Sequence, residues 1–367
     1  MAVQDLWKSV DYSRGLRYAV IIALLFLFVD YHLKVLQSYV IPTYGNTLYH
    51  VGIERLTLES GHYPAQELSY NGGFPNFYVP AYRLLVASHS LVTGIDPMLM
   101  SGLVTILLSA AMFGVIYSFT NRFVGKNAAV CALFFLTISP EMAIFTIRAL
   151  PELLGLFLVP LTLLFVVINK RESPFQFNAY VLLSVIAAAT TALTHQMALL
   201  TLSLVLLFYA ATQIKNRNEF LKAVIPLIAV ILMYGLWQVY SLHTLSILGL
   251  SQVKYHEGTA VDFLSSVNRV GFFERAGLLL LPFAVIGIVW LERNKVQKRY
   301  LLYSWVIASL LLTKNDLFGI EIFMDRFLTF LVQSLIIAAG IGALATLKYF
   351  DSLLFRMLTK KSLRQND

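Results

Sequence analysis

Apolar stretches that approach or reach the length needed to cross a lipid bilayer recur along the whole chain. Examples are Val20–Val29, Leu103–Val115, Leu153–Ile168 and Leu278–Trp290. Only 13% of the 367 residues are charged and 58% are hydrophobic, whereas soluble domains carry about a quarter charged residues. The sequence therefore predicts an all-α fold, a polytopic membrane helical bundle with about ten transmembrane helices.

The positions of the lysine and arginine residues predict how this bundle is oriented. The predicted spans are 15–37, 98–120, 128–146, 150–169, 179–195, 197–214, 223–242, 276–291, 300–313 and 327–347. On one side of the membrane, the two termini and the short loops carry 19 of the 28 Lys and Arg residues. Because short basic loops favour the cytoplasm, we expect a multi-pass protein of the cell membrane with both termini cytoplasmic. The net charge of +8 then reports topology, and nucleic acid is not an expected partner.

The chain is predicted to form one membrane domain over residues 1–350, followed by a basic cytoplasmic tail over 351–367. The first apolar run lacks a small-residue cleavage site and is followed by further spans, so we expect it to remain as an anchor. The single cysteine, Cys131, excludes an intramolecular disulfide framework.

The longest connections all fall on the predicted non-cytoplasmic side. They cover about residues 39–97, 241–275 and 314–326. Within the first of them, apolar residues and turn signals predict an amphipathic helix over 46–59 and a second helix over 79–92. Both helices are expected to lie along the outer membrane interface. They would form a platform, and we therefore look for chemistry on this side.

Short motifs in this first outer segment and in the helices after it are similar to those of a known superfamily. They are Tyr44–His50, Glu59–Pro64, Phe74–Pro80, Leu91–Pro97, Arg122–Gly125, Ser139–Glu141, Arg148–Glu152 and Asp325–Phe327. In their order and topology the chain resembles the GT-C superfamily of membrane glycosyltransferases, which includes oligosaccharyltransferase catalytic subunits and protein mannosyltransferases. The resemblance covers most of residues 15–170 and more weakly the remainder, and it is strongest to bacterial and archaeal members.

The resemblance implies transfer of a sugar from a polyprenyl-phosphate carrier to a glycan or lipid acceptor on the non-cytoplasmic face. In the family, an acidic residue in the first outer loop acts as the base or activates the acceptor. The matching position here is Asn46, four residues before His50. An amide cannot accept a proton as a carboxylate does. Asn46 is therefore expected to contact substrate, and the base is expected to be another carboxylate.

Two candidate catalytic carboxylates lie near the first outer segment. Asp30 is in the outer third of the first span, where inserting a charged side chain costs about 2.5–3.5 kcal/mol. It is either a substitute base or a structural partner of Lys34 or Lys314. Glu54 lies four positions after His50 and shares its helix face. On that face Glu54 could activate a hydroxyl and His50 could contact phosphate, or both could be part of an exposed amphipathic surface.

Two further candidate carboxylates, Glu141 and Glu152, flank a turn that contains Arg148. Pro140 and Pro151 break the chain there, so we expect the three charged side chains to converge, with Arg148 helping to hold a phosphate. The two carboxylates could also bind a divalent cation. Such a cation is the candidate cofactor, but the sequence assigns no residue as its ligand. The alternative is a local Arg148–Glu152 ion pair at a helix start.

Arg326, just before the last span, is the leading candidate for the lipid phosphate because a guanidinium fork fits phosphate oxygens. The alternative is a surface ion pair with Asp325. His195, in a turn between two spans, could hydrogen-bond a pyrophosphate or a sugar, although a structural role is favoured. Weaker phosphate candidates in the second outer segment are Lys254, Arg269 and Arg275. His256, Glu257 and Asp262 are expected to help that segment close over the acceptor.

Three classes of function follow from these observations. The leading hypothesis is an inverting glycosyltransferase that uses a polyprenyl-phosphate-linked donor from the membrane lipid. The second is a non-catalytic GT-C-like scaffold that binds a lipid-linked glycan. Asn46, in place of the acidic residue of the family, favours this hypothesis. The third is a transporter of lipid or solute, but transporters tend to have Gly/Pro-broken spans in repeated halves, and the sequence shows no such repeat.

Overall fold

The computed structural model describes residues 14–38, 45–67, 74–76, 78–169, 178–247, 275–320 and 323–364. In these ranges the regular structure is helical, apart from two two-residue strands and one 3₁₀ turn. The helices are α1 (Arg14–Ser38), α2 (Gly45–Ser60), α3 (Ala81–Thr93), α4 (Pro97–Phe123), α5 (Lys126–Ile138), α6 (Pro140–Thr146), α7 (Pro151–Ile168), α8 (Ala179–Ala192), α9 (Gln196–Thr212), α10 (Arg217–Ile247), α11 (Leu280–Arg293), α12 (Arg299–Thr313) and α13 (Met324–Arg364). The strands β1 (Gln66–Glu67) and β2 (Phe74–Pro75) pair antiparallel, and the 3₁₀ turn is Asn315–Phe318. The predicted all-α membrane bundle is confirmed.

Each predicted span overlaps one helix or, in one case, a bent pair of helices. Five helices are long and apolar enough to cross a bilayer, namely α1, α4, α7, α10 and α13. The pair α5 and α6 gives a sixth if it is taken as one span, and α8, α9 and α12 are shorter apolar helices. The number of helices that cross the membrane stays a prediction.

The third predicted span, 128–146, is not one continuous helix. Its two parts, α5 and α6, are bent by 71°. Ser139 at the break has extended backbone, and its hydroxyl accepts a hydrogen bond from the Met142 N–H at 3.4 Å. Pro140 begins α6, a position where the missing N–H of proline is tolerated. The break places Glu141 in the first turn of α6, where it contacts α13.

The central helix of the bundle is α13, in which residues 327–342 are all buried. Small residues let α11 approach it closely. A Cβ atom added at Gly287 would lie 1.9 Å from the Ala338 carbonyl oxygen, and one at Gly342 would lie 1.8 Å from the Phe283 carbonyl oxygen. Glycine at helix contacts permits such approach in membrane bundles. This packing joins α11 closely to the middle of α13.

The two helices predicted for the first outer segment are present as α2 and α3, with ends close to those predicted. Tyr82 of α3 packs in an apolar cluster with Met100 of α4 and Leu153 of α7. The Ala81 N–H donates to the Leu193 carbonyl at 2.8 Å, which fixes α3 to the turn between α8 and α9. We call the end of the bundle formed by α2, α3, α6 and the N-termini of α7, α9 and α13 the platform end.

The second outer segment lies mostly outside the described residues. Helix α10 continues to Ile247, beyond the predicted end of the seventh span, and the described chain resumes at Arg275. The predicted residues that lie outside the described ranges are Lys254, His256, Glu257, Asp262 and Arg269. Helix α13 continues to Arg364, and the division into a domain and a tail stays a prediction.

Candidate functional site

The N-termini of α7, α9 and α13 bring Glu152, His195 and Arg326 together at the platform end. Arg326 Nη1 donates to Glu152 Oε1 at 2.5 Å, and His195 Nε2 lies 3.7 Å from the same oxygen. Glu152 and His195 are buried, whereas the Arg326 side chain is 15% exposed. The Glu152–Arg326 pair joins residues 174 positions apart. Neither of the local pairs considered from the sequence, with Arg148 or with Asp325, predicts this long-range contact.

The side chain of His195 caps α9. Its Nδ1 accepts a hydrogen bond from the Met197 N–H at 3.3 Å, and the proton of the neutral ring is therefore on Nε2, beside the Glu152 carboxylate. Burial lowers the pKa of His195 to about 4, although the charge of Glu152 acts in the opposite direction. His195 thus caps a helix, and its neutral ring lies beside a charged pair. Its role in the site stays a prediction.

Glu141 forms a second pair beside the first. It is fully buried and accepts two hydrogen bonds of 2.7 Å from Nε and Nη2 of Arg275, and a third of 2.8 Å from the Thr329 hydroxyl. Arg275 Nη2 also donates to the Asp325 carbonyl at 3.2 Å. Because Asp325 directly precedes Arg326, the two glutamate–arginine pairs adjoin.

A groove of about 200 Å³ is lined by Pro140 and Ala276, which are the chain neighbours of Glu141 and Arg275. It lies between the break that separates α5 from α6 and the start of α11. Leu278 and Leu279 on its rim are 77% and 60% exposed. The other lining residues include Phe135, Ile138, Pro140 and Leu280. An apolar groove whose lining residue Ala276 directly follows Arg275 suits an amphiphile with an anionic head group.

A further polar cluster lies between α2 and α3, around the fully buried Arg83. Its Nε donates to His50 Nδ1 at 2.9 Å. Its Nη1 donates to the Tyr63 hydroxyl at 2.9 Å and to Asn76 Oδ1 at 3.0 Å. The guanidinium carbon also lies 4.6 Å from the centroids of two aromatic rings, those of Tyr49 and Tyr78. Hydrogen bonds therefore engage Nε and Nη1 of this buried cation, and two aromatic rings contact its guanidinium.

The ring of Tyr78 links this cluster to the glutamate–arginine pairs. Its centroid is 5.2 Å from that of His50 and 6.3 Å from that of His195. Burial, together with the charges of Arg83 and Arg326, lowers the pKa of His50 well below its usual value. His50 is therefore a neutral hydrogen-bonding group close to both arginines.

Glu54 lies one helical turn from His50, as predicted, and both side chains are buried, which excludes an exposed amphipathic face. Ser101 donates to Glu54 Oε2 at 3.1 Å. Burial raises the pKa of Glu54 to about 8, even though the Ser101 hydrogen bond and the charge of Arg83 lower it. At neutral pH Glu54 is mostly a protonated acid, which does not suit a general base.

The other predicted site residues lie around the edge of this region. Asp30 forms an ion pair of 2.6 Å with Lys34 on α1, which is the structural alternative considered from the sequence. Asn46 is exposed at the start of α2. Arg148 follows α6, with its guanidinium carbon 4.4 Å from the Phe145 ring centroid. The proposed roles of Asp30, Asn46 and Arg148 stay predictions.

The site residues that were missed from the sequence include Arg83, Tyr78 and Thr329. Arg83 carried a usable signal, because a charged residue inside an apolar helix must be paired or hydrogen-bonded when it is buried. Tyr78 and Thr329 carried none, since aromatic and hydroxyl side chains are common in such helices and loops. Arg275 had been a weaker phosphate candidate, and the structure places it beside Glu141.

Within the described ranges, no group of three or more His, Cys, Asp and Glu side chains is arranged to hold a metal ion. The two carboxylates considered for a divalent cation, Glu141 and Glu152, are each paired with an arginine. A divalent cofactor stays a prediction for which these residues offer no assembled ligand set.

The overall structure is similar to solved structures of membrane glycosyltransferases. The oligosaccharyltransferase of Archaeoglobus fulgidus, in the apo form, superposes with a TM-score of 0.65 at 14% identity, over 95% of this chain and 52% of that chain. The same archaeal enzyme, AglB, in complex with an inhibitory peptide and a dolichol-phosphate gives 0.64 at 13% identity, over 94% and 52%. ArnT from Cupriavidus metallidurans bound to undecaprenyl phosphate gives 0.56 at 14% identity, over 90% of this chain and 60% of that chain.

These likenesses show that the chain has the fold of the GT-C superfamily, which confirms the resemblance seen in the sequence motifs. The chain spans about half the length of the archaeal oligosaccharyltransferase. Residues 10–318 match DUF6541, described as a family of unknown function, and the chain therefore belongs to that family. A search of curated proteins gives no match.

Proposed function

We propose that this protein is an inverting glycosyltransferase that takes a sugar from a polyprenyl-phosphate-linked donor on the non-cytoplasmic face of the membrane. The observation that carries the proposal is the pair of adjoining Glu–Arg contacts at the platform end of a GT-C fold. The GT-C enzymes of similar fold include one solved with dolichol-phosphate and one solved with undecaprenyl phosphate. Both ligands are polyprenyl phosphates, and a phosphate is the anion that two adjoining arginines suit best.

Arg326 and Arg275 are the residues proposed to bind the donor phosphate. Their side chains are 15% and 27% exposed, whereas their carboxylate partners are buried. Each guanidinium offers five N–H donors in a planar fork. A phosphate approaching from the exposed side can therefore be bound while the glutamates hold the arginines in place. His50 and His195 would add neutral donors near the same phosphate.

The polyprenyl chain is proposed to lie in the groove beside Arg275. Its rim residues Leu278 and Leu279 are exposed apolar side chains next to the start of α11. A polyprenyl lipid would enter this groove laterally from the bilayer and place its head group next to the Glu141–Arg275 pair. The apolar lining matches the isoprenoid, and the charged end matches the phosphate.

Glu152 is the carboxylate proposed to act as the base. Glu141 is fully buried and accepts three hydrogen bonds, and Glu54 is largely protonated. Glu152 is paired through one oxygen with Arg326, a residue that a donor phosphate would engage. In the reaction an acceptor oxygen attacks the anomeric carbon, and the bond from that carbon to the phosphate oxygen breaks. The phosphate keeps the electron pair, and the acceptor proton moves to Glu152.

The test is binding and transfer by the purified chain in lipid nanodiscs. Undecaprenyl phosphate binding is measured for the native protein, for Arg326→Gln and for Arg299→Gln, which removes a Glu–Arg pair formed with Glu292 elsewhere. Loss of a charged hydrogen bond of about 1.5–3 kcal/mol should weaken binding roughly 10- to 100-fold in Arg326→Gln only. Sugar release from a panel of undecaprenyl-phosphate sugars is then followed with radiolabelled donor. Equal binding by both variants, or no transfer from any donor, would refute the proposal.

A second candidate function is a non-catalytic scaffold that binds lipid-linked glycan, and Asn46 is the observation that favours it. If the native protein binds undecaprenyl phosphate but transfers no sugar, Asn46→Asp distinguishes the two functions. Transfer that appears only in Asn46→Asp supports a scaffold that lost its base. Transfer by the native protein excludes the scaffold.

A further inference from the structure

The hydrogen bond between Arg83 and His50 determines which nitrogen of the histidine carries a proton. An arginine side chain has donors and no acceptor. His50 Nδ1, 2.9 Å from Arg83 Nε, must therefore accept this hydrogen bond and cannot itself be protonated. A neutral imidazole has one N–H, which is then on Nε2.

Neighbouring residues hold the Arg83 side chain in the position from which it donates to His50 Nδ1. Its Nη1 is bound by Tyr63 and Asn76. Tyr63 in turn donates to the Tyr78 carbonyl at 3.0 Å, and Asn76 donates to the Pro64 carbonyl at 2.9 Å. The guanidinium stays charged at every pH at which the protein is folded. Its position therefore excludes a second proton on His50 both by geometry and by charge repulsion.

We propose that Arg83 is a positioning residue that holds His50 as a neutral, Nε2-protonated donor at the lipid-phosphate site. The identity of the ligand rests on the proposed function, whereas the tautomer of His50 does not. His195 reaches the same tautomer by another route, because the Met197 backbone N–H occupies its Nδ1. Two histidines near one anion site are thus kept neutral by donors that do not titrate.

As a consequence, His50 gains no positive charge when the pH falls, and it therefore does not increase the affinity of the site for phosphate. A protonated His50 would be an additional cation and would bind phosphate more tightly in acid. The titratable and charged groups around His50 are Tyr49 on its own helix, Tyr78 before α3, Tyr82 and Arg83 of α3, His195 at the start of α9 and Arg326 of α13. In this set the cations are arginines. The nearby carboxylate on the same helix is Glu54, one turn from His50, and Ser101 donates to its Oε2 at 3.1 Å.

The direct test is nitrogen NMR of the full chain in nanodiscs, with all seven histidines labelled with ¹⁵N. The His50 signals are those that disappear in His50→Gln. We expect a protonated Nε2 and an unprotonated, hydrogen-bonded Nδ1. Both signals should stay unchanged between about pH 5.5 and 8, a range that includes the usual histidine pKa. A proton on Nδ1, or titration of His50 in that range, would overturn the proposal.

A second test follows ligand binding. Undecaprenyl phosphate affinity is compared at pH 5.5 and 7.5, about one unit either side of the usual histidine pKa, for the native chain, Arg83→Met, and Arg83→Met combined with His50→Gln. Replacing a neutral by a charged hydrogen bond is worth about 1 kcal/mol, so Arg83→Met should gain about fivefold in acid relative to the native chain. The double variant should lose that gain, and Arg83→Lys should behave as the native chain.

Arg55→Met is the matched control, because Arg55 is an exposed arginine of α2 that pairs with Asp96. It should show the native ratio of affinities at the two pH values. The same ratio in Arg83→Met as in the native chain would refute the positioning role, and so would a gain that survives His50→Gln. If Arg83→Met does not fold, the NMR result on the native chain decides. If the native chain binds no undecaprenyl phosphate, the proposed function fails, and the NMR experiment still tests the tautomer.

Discussion

Replacing Glu54 by glutamine should stabilise the protein in alkaline solution and leave it nearly unchanged in acid. Glu54 is fully buried and receives one hydrogen bond, from Ser101. Burial raises its pKa from 4.5 to about 8, and in the native state it therefore binds a proton that the unfolded state releases. Glutamine keeps an acceptor oxygen for Ser101 and has no proton to lose.

The sign and size of the effect follow from proton linkage. Because the folded-state pKa is above the unfolded value, the contribution of Glu54 to the native stability is greatest below pH 4.5. It falls as the pH rises from 4.5 to about 8, and it is constant above that. Between pH 5 and pH 8 the loss is on the order of 3 kcal/mol. The glutamine variant lacks this loss, so the difference in stability between Glu54→Gln and the native chain should grow by that amount across this range.

Thermal unfolding of the purified protein in one detergent, at pH 5, 6, 7 and 8, measures the effect. The midpoint of Glu54→Gln should exceed that of the native chain by several degrees at pH 8, and by much less at pH 5. Glu59→Gln is the control, since Glu59 is exposed on the same helix. A difference in midpoint that is the same at all four pH values would show that folding does not raise the pKa of Glu54. If the difference for Glu59→Gln changed with pH in the same way, the pH dependence would not come from the burial of Glu54.

Four other variants test the packing between α11 and α13 and the buried Glu141–Arg275 pair. Gly342→Ala should destabilise the bundle by about 1–3 kcal/mol, because its Cβ would meet the Phe283 carbonyl. Gly114→Ala, with open space around its Cβ position, should leave the unfolding midpoint unchanged or raise it. Glu141→Gln removes the carboxylate that balances the charge of Arg275 and should cost about 3–5 kcal/mol. Adding Arg275→Gln should recover part of that loss, and a double variant as unstable as the single one would contradict this account of the pair.

Much of the fold could be predicted from the sequence, because apolar runs and basic loops report directly on bilayer crossing. The predicted ends of the helices at 46–59 and 79–92 differ little from those of α2 and α3. The bend at Ser139 was not predicted as a break in a span, although Pro140 signalled a local one. The extension of α10 to Ile247 was missed as well, since polar residues beyond 242 concealed the continuation of the helix.

The candidate site could be predicted only in part. Glu141, Glu152, His195 and Arg326 were singled out from the sequence, and the structure brings them to one end of the bundle. Their pairing was not predictable, because each contact joins helices that are distant along the chain and no local spacing encodes it. The pair Asp30–Lys34, one helical turn apart, was foreseen as an alternative because i,i+4 spacing does encode such contacts.

The most direct test of the central claim is an experimental structure of the full chain in a nanodisc with undecaprenyl phosphate. The account predicts the phosphate within about 3 Å of the Arg326 guanidinium, with Arg275 beside it and the isoprenoid in the groove bounded by Leu278 and Leu279. A phosphate bound at the opposite end of the bundle, or one that contacts neither arginine, would contradict it.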